Sequence, residues 1–279
     1  MIEKAYAKLN LSLNVVRKRS DGYHELEMVI VPLELHDTLE AELAETTTLT
    51  GNEKMTADES NTILKAIRVL RDRYHFTENF RVTVQKRIPM QAGLAGGSSD
   101  GAAMLRLLNR LLHLDICEEE LCAIGKEIGA DVPFCVAAKP AVVKGIGEQL
   151  EFFEIPGQWH VLLVKPEEGV STKRAFESLV FDENLPHPDP YRVKEALLTQ
   201  KDGLLKEHML NTLESSAVAM VPVIATIKKE CEELGLQHVL MSGSGSTVFA
   251  LSRKEETVKK AYDRLKEKYA FVCVTKVLN

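Results

Sequence analysis

A chain of 279 residues, 45% of them hydrophobic, is long enough to bury a substantial core as one large or two moderate domains. Its formal charge of −6 excludes a broad nucleic-acid surface, which needs a clustered basic face, so any phosphate must be bound locally. Five scattered cysteines (Cys117, Cys122, Cys135, Cys231 and Cys273) with no Cys-x-x-Cys pair argue against a disulfide framework and a zinc site. They suit reduced, buried thiols in a cytoplasm. The opening Met-Ile-Glu-Lys-Ala-Tyr-Ala-Lys has no apolar signal segment, and no run approaches the roughly 20 apolar residues of a membrane span, so a soluble cytoplasmic protein is expected.

From Ala5 to Val15, Leu9, Leu11, Leu13 and Val15 alternate with Lys8, Asn10, Ser12 and Asn14, the two-residue period of a half-buried strand. Its polar face is either solvated or the lining of a cleft, and composition does not choose between them. Lys18 to Gly22 marks a turn, and Met28 to Leu35 reads as the return strand of a hairpin. Asp37 to Leu43 and Thr46 to Thr50 add strand-like segments before a loop at Gly51 to Glu59. Ser60 or Asn61 can cap a helix that carries Ile63, Ile67, Leu70 and Tyr74 at helical spacing. Phe80 to Lys86 then alternates like a strand and delivers the chain to a glycine-rich stretch.

That stretch organises the rest. Between Gly93 and Ser99 stand three glycines and two serines within seven residues, more than a tight turn needs. Glycines allow successive N–H groups to face one concave space, and the Leu105, Leu108, Leu111 and Leu112 stripe predicts a helix whose N-terminus points at it, with Ser98, Ser99 and Asp100 as capping residue types. Unpaired N–H groups at a helix start favour a bound phosphate. Neither a Gly-Lys-Ser/Thr ending nor Gly-x-Gly-x-x-Gly is present, so this is not a Walker A or dinucleotide loop. The plainer alternative is a strand-to-helix connection with glycines for close packing.

Glu118 to Ile128 reads as a helix with acidic residues in its first turn and Gly129 as its C-terminal cap. Beyond it Asp131 sits in a corner constrained by Pro133. A carboxylate there can accept a proton if it faces a cleft, although local sequence favours a turn-capping role. Strands follow at Ala141 to Lys144, Leu150 to Glu154 and His160 to Val164, with a domain boundary at Pro156-Gly157 that divides the chain into 1–156 and 157–279. A loop-rich region from Pro166 to Pro190 precedes helical patterns at Arg192 to Leu198, Asn211 to Met220 and Val223 to Leu234. Gly243-Ser-Gly245-Ser turns between two strands, and a helix at Lys254 to Lys268 and a strand at Phe271 to Val277 complete an α+β layer. Alone, that turn is explained by a hairpin. Two glycine-serine loops in one chain raise the odds that both flank one anionic ligand.

The loop Pro89, Met90, Gln91, Ala92, Gly93, Leu94, Ala95, Gly96, Gly97, Ser98 and Ser99 resembles the phosphate loop of the GHMP small-molecule kinases. Three further segments extend the likeness over most of the chain: Ala7 to Leu11 with Arg19 to His24, Gly129 to Phe134, and Ser242 to Ser246. The Asp-Gly-Tyr-His stretch points to the branch of the family that acts on a cytidyl-diphosphate-linked methylerythritol. The resemblance implies a two-lobed α+β architecture with its active site in the cleft, the N-terminal lobe like domain 2 of ribosomal protein S5 and the C-terminal lobe a ferredoxin-like α/β layer.

It also implies ATP-dependent phosphorylation of the 2-hydroxyl in non-mevalonate isoprenoid precursor synthesis, with Mg²⁺ and with no nucleic-acid or membrane partner. Asp131 matches the general base and Lys8 the lysine beside it. Asn10, Tyr23, His24, Thr172 and Phe176 match substrate contacts, the aromatic groups holding the cytosine ring. Asn61 and Lys86 match positions near the adenine, although Asn61 suits a helix cap and Lys86 a solvated strand end. Gln91 departs from the family pattern, where glycine or alanine is usual, and bears on nucleotide affinity. No metal ligand is assigned, although Ser98 or Ser99 is placed to reach Mg²⁺. The alternatives are a mevalonate- or homoserine-type kinase of the same family, or a nucleotide-binding module that kept the fold without catalysis. A monomer and a weak homodimer both fit.

Overall fold

The structure, a computed structural model, describes residues 1–53, 55–56, 58, 60–182 and 185–279. Lys54, Ala57 and Glu59, in the loop expected at 51–59, and Glu183 and Asn184, in the loop-rich region, lie outside the described residues. The chain forms two compact units. One comprises Met1–Ala7, Leu35–Ile88 and Ala95–Ala138, and the other Lys8–Glu34, Pro89–Leu94 and Lys139–Asn279. The glycine-rich loop is thus divided, with Pro89–Leu94 belonging to the second unit and Ala95 onward to the first.

The long strand β1 (Ile2–Lys18) pairs with β2 (His24–Ala44), which runs without interruption through the two segments read separately from sequence. Alternation over Leu9 to Val15 leads to expect one buried face, but Lys8, Asn10, Ser12 and Asn14 are buried as well as the leucines. A period-2 pattern reports residue type, not what covers the polar side, and here both faces are covered.

In the first unit, β3 (Thr48–Gly51) runs parallel to β4 (Asn79–Gln85), which pairs antiparallel with Thr38–Ala44 of β2. Helix α1 (Thr62–Tyr74) starts at Asn61, whose side chain accepts a bond from Ile63 N–H, as its residue type predicts. It packs with α2 (Gly96–Leu111) and α3 (Glu118–Ile128), and α4 (Val132–Ala137) packs against those two. The start of α2 differs from expectation. Its cap is Ala95, in the left-handed conformation at φ 58° and without a side-chain capping bond, so Ser98, Ser99 and Asp100 lie inside the first turns. Ser99 and Asp100 are buried because the apolar stripe of the helix begins earlier than Leu105, at Ala102 and Ala103.

The second unit holds part of the six-stranded sheet to which β1, β2, β3 and β4 belong, and a separate four-stranded sheet. Leu26–Ile30 of β2 pairs antiparallel with β5 (Ala141–Gly145), which continues to β6 (Gln149–Phe152). The other sheet includes β7 (His160–Lys165). Helices α5 (Thr172–Glu177), α6 (Pro190–Thr199), α7 (Asp202–His208), α8 (Glu214–Met220) and α9 (Val223–Glu233) follow, then β8 (His238–Met241), β9 (Val248–Ser252), α10 (Glu255–Leu265) and β10 (Phe271–Lys276). The sheet runs β10-β7-β9-β8, antiparallel throughout, and its apolar face meets Ala217, Ile224, Ile227, Val258 and Ala261 of the helices. Helix α7 and the short α5 went unread in the sequence. Six or seven residues give too few turns for a periodic stripe to stand out.

Candidate active site

Polar residues of β1, the Pro89–Leu94 part of the first glycine-rich loop and the second glycine-rich loop meet within the second unit. Lys8 Nζ donates to Asn10 Oδ1 at 2.5 Å and to the Gly93 carbonyl at 3.0 Å, and Lys8 is 5% exposed. A buried ammonium needs such acceptors, and their placement fixes its direction. Asn10 in turn donates from Nδ2 to Met28 Sδ, 3.2 Å away, on the neighbouring strand.

Gly93, at φ 73°, passes so close to Ser242 that the serine hydroxyl donates to its carbonyl at 3.0 Å. The Ser242-to-Ser246 turn thereby becomes a neighbour of Lys8: a Cβ built on Gly243 would lie 3.2 Å from both Asn10 Oδ1 and Lys8 Nζ. Gly243 is a glycine because it carries a positive φ of 57° beside those two side chains. The two loops that sequence reading paired as possible flanks of one ligand are packed against one another.

The expected substrate residues of this unit fall into two groups. His24 stands 4.9 Å from Phe176 between ring centroids, tilted by 31°, and also faces Phe181 at 6.4 Å and 14°. Burial, followed by the charge of Lys18, holds the His24 imidazole below its ordinary pKa and so favours the neutral ring. Tyr23 beside it is 59% exposed. Thr172, just inside α5, shares a 2.9 Å hydrogen bond with Ser244 of the second glycine loop. Of the remaining loop residues, Pro89 and Ala92 complete the backbone path, and Thr247 N–H donates to Ala92 O at 3.3 Å. Met90 is exposed. Gln91, the departure from the family pattern, turns toward Gly169, where a built Cβ would lie 2.6 Å from Gln91 Oε1.

In the first unit, Gly96, Gly97, Asn61 and Lys86 are brought together. Thr62, the residue after Asn61, donates to the Gly97 carbonyl at 2.5 Å, and a Cβ on Gly96 would lie 3.6 Å from Lys86 Nζ. Asn61 is engaged at both ends, accepting from Ile63 N–H and donating to Thr56 O at 2.8 Å. Lys86 is not the solvated strand-end lysine that residue type suggests. Its ammonium is buried between Asp37 and Asp100, 2.6 Å from Asp100 Oδ2, and the other oxygen of Asp37 accepts from the backbone of Arg87 and of Ile88. Sequence reading missed Asp37, because an acidic residue inside a strand pattern gives no local sign of its partner.

Burial raises the Asp100 pKa to about 7, helped by the charge of Asp37 and opposed by that of Lys86, and its Oδ1 is buried without a hydrogen-bond partner. The two serines differ. Ser99 Oγ is held by the Tyr6 carbonyl at 2.6 Å and by Cys135 Sγ at 3.4 Å, whereas Ser98 is half-buried. Asp131 stands at the position before α4, at φ −83°, and its side chain makes no capping bond to that helix. Gly125 lets this corner close: a Cβ there would lie 2.9 Å from Val132 Cγ1. Among the described residues no group of three His, Cys, Asp or Glu is placed to hold a metal ion, and no helix is long and apolar enough to cross a membrane.

Two family models match the chain: the GHMP kinases N terminal domain over residues 61–139 and the GHMP kinases C terminal domain over residues 193–270. A GHMP kinase is the class of protein that this fold and pair of domains define. The chain is 41% identical over 269 residues to the 4-diphosphocytidyl-2-C-methyl-D-erythritol kinase of Bacillus subtilis strain 168, with 95% of this chain and 93% of that protein covered. It belongs to the 4-diphosphocytidyl-2-C-methyl-D-erythritol kinase family. A crystal structure of a 4-(cytidine 5'-diphospho)-2C-methyl-D-erythritol kinase superposes with a TM-score of 0.84 at 29% identity, covering 100% of both chains. A homoserine kinase from Cytophaga hutchinsonii shares the fold, with a TM-score of 0.77 at 18% identity over 99% of this chain and 94% of that one.

Proposed function

We propose that this protein transfers the γ-phosphoryl group of ATP to the 2-hydroxyl of 4-(cytidine 5'-diphospho)-2-C-methyl-D-erythritol, a step of isoprenoid precursor synthesis by the non-mevalonate route. The observation that carries the reading is the set Lys8, Asn10, Gly93 and Gly243: a buried ammonium directed by an amide and a carbonyl, beside two glycine turns with no room for a side chain. Phosphoryl transfer asks for alignment and for positive potential around the moving group, and backbone N–H groups with a lysine supply both.

In this reading the alcohol oxygen attacks the γ-phosphorus while the bond to the departing ADP breaks, and the Asp131 carboxylate takes the hydroxyl proton. Lys8 offsets charge on the transferring group, and Asn10 faces the erythritol end. The loop from Pro89 to Ser99 cradles the triphosphate, with Asn61 and Lys86 toward the adenine. Tyr23, His24 and Phe176 hold the cytosine by stacking and by hydrogen bonds to its edge, and Thr172 contacts the substrate. The neutral His24 ring, which carries both a donor and an acceptor nitrogen, suits the mixed polar edge of that base.

Mg²⁺ bound with the nucleotide would supply charge neutralisation on the phosphates. Ser98 would be the residue to reach such an ion through its hydroxyl, since Ser99 is engaged by Tyr6 and Cys135. The division into an ATP-binding 1–156 and a C-terminal 157–279 domain goes with this reading, supported by one family match ending at 139 and the other starting at 193. Use of ATP and the free cysteines suit a cytoplasmic enzyme, as a monomer or weak homodimer.

The test is ADP release, coupled to a reporter, with the cytidyl compound, homoserine and mevalonate side by side. Turnover with the cytidyl compound alone supports the proposal. Reaction with a smaller alcohol while the cytidyl compound stays inert overturns it.

A further inference from the structure

We propose that Asn211 is a positioning residue for the reaction, holding the second glycine loop at the height that Lys8 and Asn10 require. This rests on the kinase reading given above. Asn211 lies in the connection between α7 and α8, is 3% exposed, and its side-chain amide is used almost completely. Nδ2 donates to the Met241 carbonyl at 2.9 Å and to the Gly243 carbonyl at 2.8 Å, while Oδ1 accepts from Leu213 N–H at 2.9 Å. One planar group thereby fixes the end of β8 and the first glycine of the turn at a single separation.

The same segment is anchored to the strand that carries Lys8 and Asn10. Leu13 N–H donates to Leu210 O at 3.0 Å and Thr212 N–H donates to Leu13 O at 2.9 Å. Asn211 therefore ties the Gly243 turn to β1 through backbone on one side and amide on the other. The consequence is geometric. Gly243 lies so near Lys8 and Asn10 that small displacements of its turn alter the space around the ammonium. Misplacement by a fraction of the approach distance is enough to reduce turnover in an aligned transfer. Glu214 adds a second tie, its Oε2 accepting from Met241 N–H at 3.1 Å and its Oε1 pairing with Lys228.

The substitution Asn211→Asp isolates the amide donors. Its remaining oxygen still accepts from Leu213 N–H, but an ionised carboxylate facing two carbonyl oxygens repels both, and protonation restores one donor. The variant is expected to fold, to lose turnover by roughly 10- to 100-fold at pH 8 with the KM for ATP little changed, and to regain it relative to wild type as the pH falls toward 6. Glu214, Lys228, Lys206, Glu232 and His238 line the same cavity as Asn211, of about 430 Å³, and Lys8 faces Gly243, so the wild-type profile is measured alongside and only the ratio is scored. A second readout is independent of activity: amide hydrogen exchange over Gly243 to Ser246 is expected to quicken in the variant at pH 8.

Wild-type turnover and exchange in Asn211→Asp at pH 8, or a loss that follows melting temperature and ignores pH, overturns the proposal. Should the aspartate fail to fold, Asn211→Ser keeps a donor too short to reach both carbonyls and carries the same test of kcat against KM and of exchange. If the wild-type protein proves inert toward the cytidyl compound, the assigned function fails, while the variant-to-wild-type ratio with whichever alcohol reacts, and the exchange data, still decide the role of Asn211.

Discussion

The backbone of Gly93 lies against that of Ser242 so closely that a Cβ on residue 93 would stand 2.0 Å from the Ser242 carbonyl oxygen. Gly93→Ala must therefore move one loop or the other, and at φ 73° it adds backbone strain of about 1–3 kcal/mol. It is expected to lower the melting temperature and abolish turnover together. Gly97→Ala is the informative contrast, because a Cβ there meets only Thr62 Oγ1, at 4.0 Å. That variant should keep its stability and bind ATP more weakly, since the added methyl occupies space next to the phosphates. Calorimetry on both proteins checks the pair, and unchanged ATP affinity in Gly97→Ala would count against the loop assignment.

Asp131 makes no side-chain capping bond to α4, so its truncation takes no such bond from that helix start. Asp131→Ala is expected to retain the fold and ATP binding while turnover drops by about 10²- to 10⁴-fold, the usual range for a positioned base. Rapid-mix kinetics with saturating ATP separates the two, and full turnover would reject the proton-accepting role.

The buried trio Asp37, Lys86 and Asp100 predicts a pH dependence of stability. Burial raises the Asp100 pKa to about 7 from an ordinary 3.8, so between these values the folded protein retains a proton that the unfolded chain has released. The unfolded state then binds fewer protons, and this group's contribution to stability falls as pH rises from about 4 to 7. Asp100→Asn should flatten that slope, gaining stability relative to wild type at pH 8 compared with pH 5. Urea unfolding at several pH values measures it, and an unchanged slope would sink the assignment.

His24 predicts a second pH effect, on substrate. Burial and Lys18 depress its pKa, so the ring is neutral at neutral pH and gains charge only below its ordinary range. KM for the cytidyl compound should rise on acidification while KM for ATP stays level. Phe176→Ala, which removes the ring packed 4.9 Å from His24, should raise the same KM by roughly 5- to 150-fold, as base-stacking contributions of ~1–3 kcal/mol imply.

Much of this was legible in residue order because local rules govern it. Glycine spacing marked both loops, Asn61 marked the start of α1, and the alternation around Leu9 to Val15 marked β1. Local rules also misled. The serines after Gly97 look like caps, but Ala95 in a left-handed conformation takes that place, and Ser99 and Asp100 lie buried inside the first turns. Asn211 opens the segment whose pattern reads as a helix to Met220, although α8 itself begins at Glu214. The Asn211 bond to Leu213 N–H is local, while the two bonds that matter for the loop reach residues 30 and 32 positions away.

Residue order by itself determined the strands, most helices, the two flexible turns and the family pattern, since periodicity, capping and backbone freedom act over a few residues. Only the tertiary structure decided that the polar face of β1 is buried, that Lys86 is neutralised by Asp37 and Asp100, and that Gly93 lies against Ser242. Those outcomes depend on which distant groups share a low-dielectric interior, where an ammonium without acceptors or a carbonyl crowded by a Cβ has no stable place.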